Sequence, residues 1–142
     1  MKTKDHFPIV DIIHENKDYI VVNKTAGRIS ELSSYEPITT ESLTLAHLLK
    51  SKPKPFIGVI HRLDRVTSGV LIFAKNKSNL VAFNRLFYNR KVQKTYLAIV
   101  KNKPPKNSGV LVNYLKKNNA EKKAEVQLSQ SNEAKESILS YK

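Results

Sequence analysis

An α+β fold is what this amino-acid sequence predicts, and three observations point to it. Short β-branched runs, Ile9-Val-Asp-Ile-Ile13 and Tyr19-Ile-Val-Val22, flank the polar stretch His14-Glu-Asn-Lys-Asp18, which is the pattern of two strands joined by a turn. Two longer segments carry helix signals, one from Thr39 or Thr40 to just before Pro53 and one from Asn76 to about Arg90. Further short apolar runs follow each helical segment, so strands and helices share one chain.

The bulk numbers bound what such a fold can do. With 142 residues, 40% of them hydrophobic, the chain suits one domain with a moderate core. Lys and Arg total 25 against 12 Asp and Glu, a net charge of +13, and an excess of that size favours polyanions through counterion release, with nucleic acid the leading partner. The absence of cysteine excludes disulfides, thiolate zinc sites and a cysteine nucleophile, and it suits a reducing compartment. Met1 to Pro8 lacks the apolar core of a signal peptide, and no apolar run approaches the roughly 20 residues of a membrane span, so a cytoplasmic location and no membrane partner are expected.

Taken in order, the strands of Ile9–Ile13 and Tyr19–Val22 lead into Asn23-Lys24-Thr25-Ala26-Gly27, where small residues and a glycine predict a turn. Arg28 to Thr40, with its serines and Pro37, reads as a loop, and Glu41, Leu43, Leu45, Ala46, Leu48 and Leu49 as the first helix. His47 within that set is assigned no role. Phe56–Ile60 and Val70–Ala74 read as strands on either side of a polar turn, and Leu80, Phe83, Leu86 and Phe87 recur at helical spacing after the cap at Asn76 to Ser78.

From Arg85 to Lys106 there are seven basic residues and no acidic one, a run that favours contact with phosphates. Within it Gln93–Val100 alternates as a strand would, placing Lys94 and Tyr96 on one face. Beyond Pro104-Pro105, Gly109–Leu115 and Lys123–Leu128 predict a hairpin turning near Asn118-Asn119, and Glu136–Lys142 begins another strand-like run.

The stretch from Gly58 to Ala74 concentrates polarity where apolar residues dominate: His61, Arg62, Asp64 and Arg65 lie between two core-forming runs. Charged groups in that setting are costly to desolvate unless they pair or meet a charged ligand, so the stretch reads as a site. His61 and Asp64 have no second cluster of matching spacing to make a metal site. Ser68 with His61 lacks the glycine-flanked elbow of a serine nucleophile, and no second acid in an apolar setting offers the carboxylate pair of a glycosidase. What is left is one carboxylate among arginines, ionised at neutral pH and available as nucleophile or base, with the arginines free for phosphate or a stacked base.

His61-Arg62-Leu63-Asp64-Arg65-Val66-Thr67-Ser68-Gly69 resembles the HRLDxxTSG signature of RluA-type pseudouridine synthases. Tyr19–Gly27 is similar to that family's NKPAG strand and turn, Ser68–Asn76 to its strand leading into a helix, and Lys94-Thr-Tyr96-Leu-Ala98 to its KxYxA motif, in the same order. The resemblance implies a mixed, largely antiparallel sheet with flanking helices, and isomerisation of uridine to pseudouridine in structured tRNA or rRNA without a metal or organic cofactor. Asp64 is then the catalytic carboxylate, attacking the uracil ring or the ribose anomeric carbon. The target base must be flipped out of its stack, which makes Arg62 the residue to enter the gap or grip the neighbouring phosphate and Tyr96 the one to pack on the base. His61, Lys94 and Arg65 complete the implied substrate-binding set.

Thr25 stands where the family usually has proline and Val66 where aspartate is frequent. The family's C-terminal TGRxHQIR-type motif, whose basic residue pairs with the aspartate, has no match here. The expectation is therefore that residues 1–142 form the N-terminal part of a single catalytic domain, without a preceding S4-like domain and with weak or no activity. Such a chain would be a monomer when complete, with association possible through an unpaired sheet edge near Ser137 to Lys142. Two other readings stand beside this one: a non-catalytic RNA-binding module of the same family, and a ribosomal-type basic protein. A carboxylate inside a basic groove speaks against both, because it would repel phosphate.

Overall fold

The structure is a computed structural model that describes residues 9–121 and 123–142; the expectation made for Met1 to Pro8 lies outside these. Two compact units divide the chain, the first running to Thr95 and the second from Tyr96 to Lys142.

In the first unit β1 (Asp11–Glu15), β2 (Tyr19–Lys24), β3 (Gly58–Val59) and β4 (Gly69–Ala74) form one antiparallel sheet in the order β1-β2-β4-β3. The β1–β2 hairpin forms at the predicted place because Asn16 caps its turn, its side-chain oxygen accepting from the amides of Asp18 and Tyr19 at 2.8 and 2.9 Å. Alternation then sorts the side chains. Ile20 and Val22 on β2 point the same way as their cross-strand partners Phe73 and Leu71 on β4, and all four are buried. With Val10, Leu48 and Leu63 they make the core, against which Ile12, Leu43, Ile57 and Val59 pack. Lys24 occupies the next inward position of β2 after Val22 and is 1% exposed.

Helix α1 (Thr40–Leu49) starts with reciprocal bonds between Thr39 and Ser42: the Ser42 amide donates to Thr39 Oγ1 and the Thr39 amide to Ser42 Oγ. Its buried stripe is Thr40, Glu41, Thr44 and Leu48, whereas Ala46 and Leu49, expected inside, are exposed. The stripe tolerates polar residues because each has a partner. Thr44 Oγ1 donates to the Thr40 carbonyl at 2.7 Å, and Glu41 accepts from the Leu32 amide at 2.7 Å.

Helix α2 (Lys77–Tyr88) is capped by Asn76, whose side chain accepts from the Asn79 amide. Its inner face is Leu80, Phe83 and Phe87, all half-buried. Leu80 lies so near Gly58 that a Cβ there would come within 2.9 Å of it, Phe83 meets Tyr19 edge-on, and Phe87 stacks on His61. These contacts set α2 against the strands that bracket the polar turn.

The second unit is a three-stranded antiparallel sheet, β6-β5-β7, made of β5 (Gly109–Asn118), β6 (Lys123–Gln127) and β7 (Ala134–Tyr141). The predicted hairpin turns where expected, with the Asn118 side chain accepting from the amides of Ala120 and Glu121. β7 pairs with β5 along Gly109 to Lys116, and among the described residues its other edge has no partner.

One predicted element is absent. Gln93–Val100 forms no strand, and Lys94 and Tyr96 therefore share no sheet face. Among the described residues no strand pairs with this segment, and Leu97 and Ile99 are fully exposed. Alternation alone does not hold a strand without a ladder.

Candidate active site

The polar turn between β3 and β4 is held to the loop that leaves β2 by side chains on both sides of Asp64. On the N-terminal side, Leu63 is buried in the core and Ser30 grips its peptide twice, donating to the Leu63 carbonyl at 2.7 Å and accepting from the Leu63 amide at 3.0 Å. On the C-terminal side, the Arg65 carbonyl accepts from the Gly27 amide at 2.7 Å, and Arg65 Nε donates back to the Gly27 carbonyl at 3.0 Å. Gly27 has φ +84, a left-handed backbone that favours glycine and turns its amide toward the partner loop.

Beneath this junction lies the Lys24 ammonium, which donates to the carbonyls of Thr25, Arg28 and Arg65 at 3.1, 2.6 and 3.3 Å. A buried cation is tolerable only with its donors satisfied, and here three carbonyls do so. Burial lowers its pKa, as does the charge of Arg28, while the nearby Asp64 carboxylate raises it. Asp64 itself is exposed and opens a turn in which its carbonyl accepts from the Thr67 amide. A solvent-facing carboxylate thus projects from a backbone pinned at the residues before and after it, which is how a reacting group is kept in one place.

The arginines, read from the sequence as available for phosphate or a stacked base, each have a carboxylate partner in the structure. Neither pairs with Asp64. Arg62 is ion-paired with Glu31 and Arg65 with Glu36, the latter at 2.7 Å, and among the described residues Asp64 has no ion-pair partner. Both glutamates come from the loop between β2 and α1, so the two guanidinium groups are drawn toward that loop. Glu31, Arg62, Asp64 and Arg65 line one cavity of about 300 Å³, at the small end of ligand pockets.

Comparison with known proteins gives this constellation its setting. Residues 18–142 match the family described as RNA pseudouridylate synthase. The chain belongs to that family. It is 35% identical over 108 residues to an uncharacterised RNA pseudouridine synthase of Haemophilus influenzae, covering 76% of this chain and 46% of that one. A tRNA pseudouridine synthase C of Vibrio parahaemolyticus is 32% identical over 133 residues, covering 94% of this chain and 52% of its own length. The chain thus spans about half the length of these curated relatives. Among solved structures, human RNA Pseudouridylate Synthase Domain Containing 4 shares the fold with a TM-score of 0.71 at 24% identity, covering 90% of this chain and 51% of that one.

The other residues expected at the site stand as follows. The His61 ring stacks on Phe87 at 5.1 Å between centroids, and its Nε2 accepts from the Ile72 amide at 3.3 Å. Burial and then the Lys94 charge hold its pKa below the ordinary 6.5, so the ring is neutral at pH 7. Its contacts fasten the start of the turn to β4 and α2. Lys94 is exposed near the end of the first unit, and Tyr96, 55% exposed, opens the second. The basic residues from Arg85 to Lys106 are all exposed.

Sequence reasoning missed Ser30, Glu31, Glu36 and the buried state of Lys24. Lys24 did leave a signal, because it continues the inward alternation of Ile20 and Val22. The other three sit in a loop without periodicity, and only the folded chain shows what they reach.

Proposed function

We propose that this chain carries the catalytic carboxylate, Asp64, of an isomerase that converts uridine to pseudouridine in structured RNA, with activity that is weak in residues 1–142 because no TGRxHQIR-type motif is found among them. The observation that carries the reading is the placement of Asp64: exposed, held by pinned neighbours, and beside a cavity lined by two arginines. The reaction breaks the bond from ribose C1′ to uracil N1 and forms one from C1′ to C5, with the C5 proton lost and N1 protonated. It needs no oxidant or reductant, only a group that holds the glycosyl or uracil fragment while the ring turns, and a carboxylate can do this by a transient covalent bond.

Arg62 and Arg65 supply positive charge for phosphates flanking a flipped nucleotide, and the exposed basic residues from Arg85 to Lys106 are further candidates for phosphate contact. Lys94 and Tyr96 enter through the family's KxYxA pattern alone. The substrates proposed are tRNA or rRNA and the location cytoplasmic, with a monomer as the state of the complete protein; in this chain the outer edge of β7 is where strand pairing between copies would occur.

Incubation of the protein and an Asp64→Asn variant with unmodified RNA, followed by chemical-adduct primer extension, tests this directly. Pseudouridine stops are expected from the parent, and from the variant at below about one thousandth of that rate. Equal product from both would refute the role of Asp64. No product from either, with salt-sensitive RNA binding by both, would favour a binding module.

A further inference from the structure

The carboxylates that hold Arg62 and Arg65 have no place in the isomerisation. Glu31 and Glu36 come from one loop and engage one arginine each, on either side of Asp64. The pairs are open to solvent, with the two arginine side chains 66% and 60% exposed, so they exchange readily with another anion. A chain of net charge +13 otherwise offers its guanidinium groups to any polyanion, and these two sit beside the reacting carboxylate.

We propose that Glu31 and Glu36 are competitors of RNA: they occupy Arg62 and Arg65 in the free protein and are displaced only when phosphates arrive in the right geometry. The pairing acts on specificity. Each arginine gives up a carboxylate before it takes a phosphate, so RNA that merely passes the basic surface gains less than RNA whose backbone reaches both arginines together. It also keeps the guanidinium groups off Asp64, leaving that carboxylate unpaired for its own chemistry.

This inference rests on the reading of the site as an RNA site, and the test separates the two. Binding of a labelled RNA stem-loop is measured by fluorescence anisotropy for the parent, Glu31→Gln, Glu36→Gln, Arg62→Gln, Arg65→Gln and the double variant Glu31→Gln/Arg62→Gln. Glu136→Gln, an exposed position on β7, controls for the change in net charge.

Glu31→Gln and Glu36→Gln are each expected to bind about two- to five-fold more tightly than the Glu136→Gln control. Both gains should shrink at high salt, where the competing pairs are screened, and the Glu31→Gln gain should vanish when Arg62 is also replaced, the double variant binding no more tightly than Arg62→Gln. Binding equal to the control, or a gain that persists in the double variant, would overturn the competition while leaving RNA binding intact. Unchanged affinity in both Arg62→Gln and Arg65→Gln would instead remove these arginines from the RNA site altogether.

Discussion

Ser30 carries more of the site than its size suggests. Its hydroxyl completes both hydrogen bonds of the Leu63 peptide, which is buried and next to Asp64. Ser30→Ala would leave a buried donor and a buried acceptor unmatched, so the chain should lose about 1–3 kcal/mol of stability, read from the urea midpoint. Turnover by the proposed isomerase should fall by about ten- to a hundred-fold at temperatures where the variant is folded, because Asp64 loses one of its two anchors. Full activity in a folded Ser30→Ala protein would show that the Gly27–Arg65 side suffices alone. Asp64 and its arginines were legible in the sequence because charge between two apolar runs demands an explanation. Ser30 was not: a serine in a polar loop is ordinary until folding brings it against a residue 33 positions away.

At the scale of elements, what was legible followed local rules. The β1–β2 hairpin, both helices with their caps and the β5–β6 hairpin depend on neighbours in sequence, and each forms, with β1 displaced to Asp11–Glu15 from the expected Ile9–Ile13. The strand expected over Gln93–Val100 depends on a partner elsewhere in the chain, which periodicity cannot reveal, and it does not form. The end of α2 offers a test of the local rules. The Arg90 amide donates to the Phe87 carbonyl and the Lys91 amide to the Leu86 carbonyl, the bond pattern of a Schellman cap, and it requires Arg90 at φ +53. That left-handed position favours glycine, so Arg90→Gly should raise stability by about 1 kcal/mol, seen as a higher denaturation midpoint. A lower midpoint would mean that the Arg90 side chain holds the helix end more firmly than the backbone strains it. The same change removes a positive charge from the basic run, so it should weaken RNA binding even as it stabilises the chain.

For the molecule as a whole, acid should loosen the first unit in two steps set by different groups. His61 has a folded pKa below 6.5, because burial and the Lys94 charge disfavour its cation. The unfolded chain therefore binds the proton first as pH falls below 6.5, and the stability present above that value is lost as pH drops through the folded pKa. Glu15 behaves likewise at lower pH. Its hydrogen bond to Lys75 at 2.6 Å, aided by His47, outweighs desolvation and holds its pKa below 4.5, so its contribution is complete above 4.5 and is lost as pH falls through the lowered value. Hydrogen exchange at the amides of Ile20, Val22, Leu71 and Phe73 reports on the core that both groups brace. Protection should decline once below pH 6.5 and again below 4.5. His61→Gln, which cannot take up the proton, should flatten the first decline and leave the second. If protection holds steady from neutral pH to 4.5, or declines identically in the variant, then the His61 ring is not what couples this turn to the sheet beneath it.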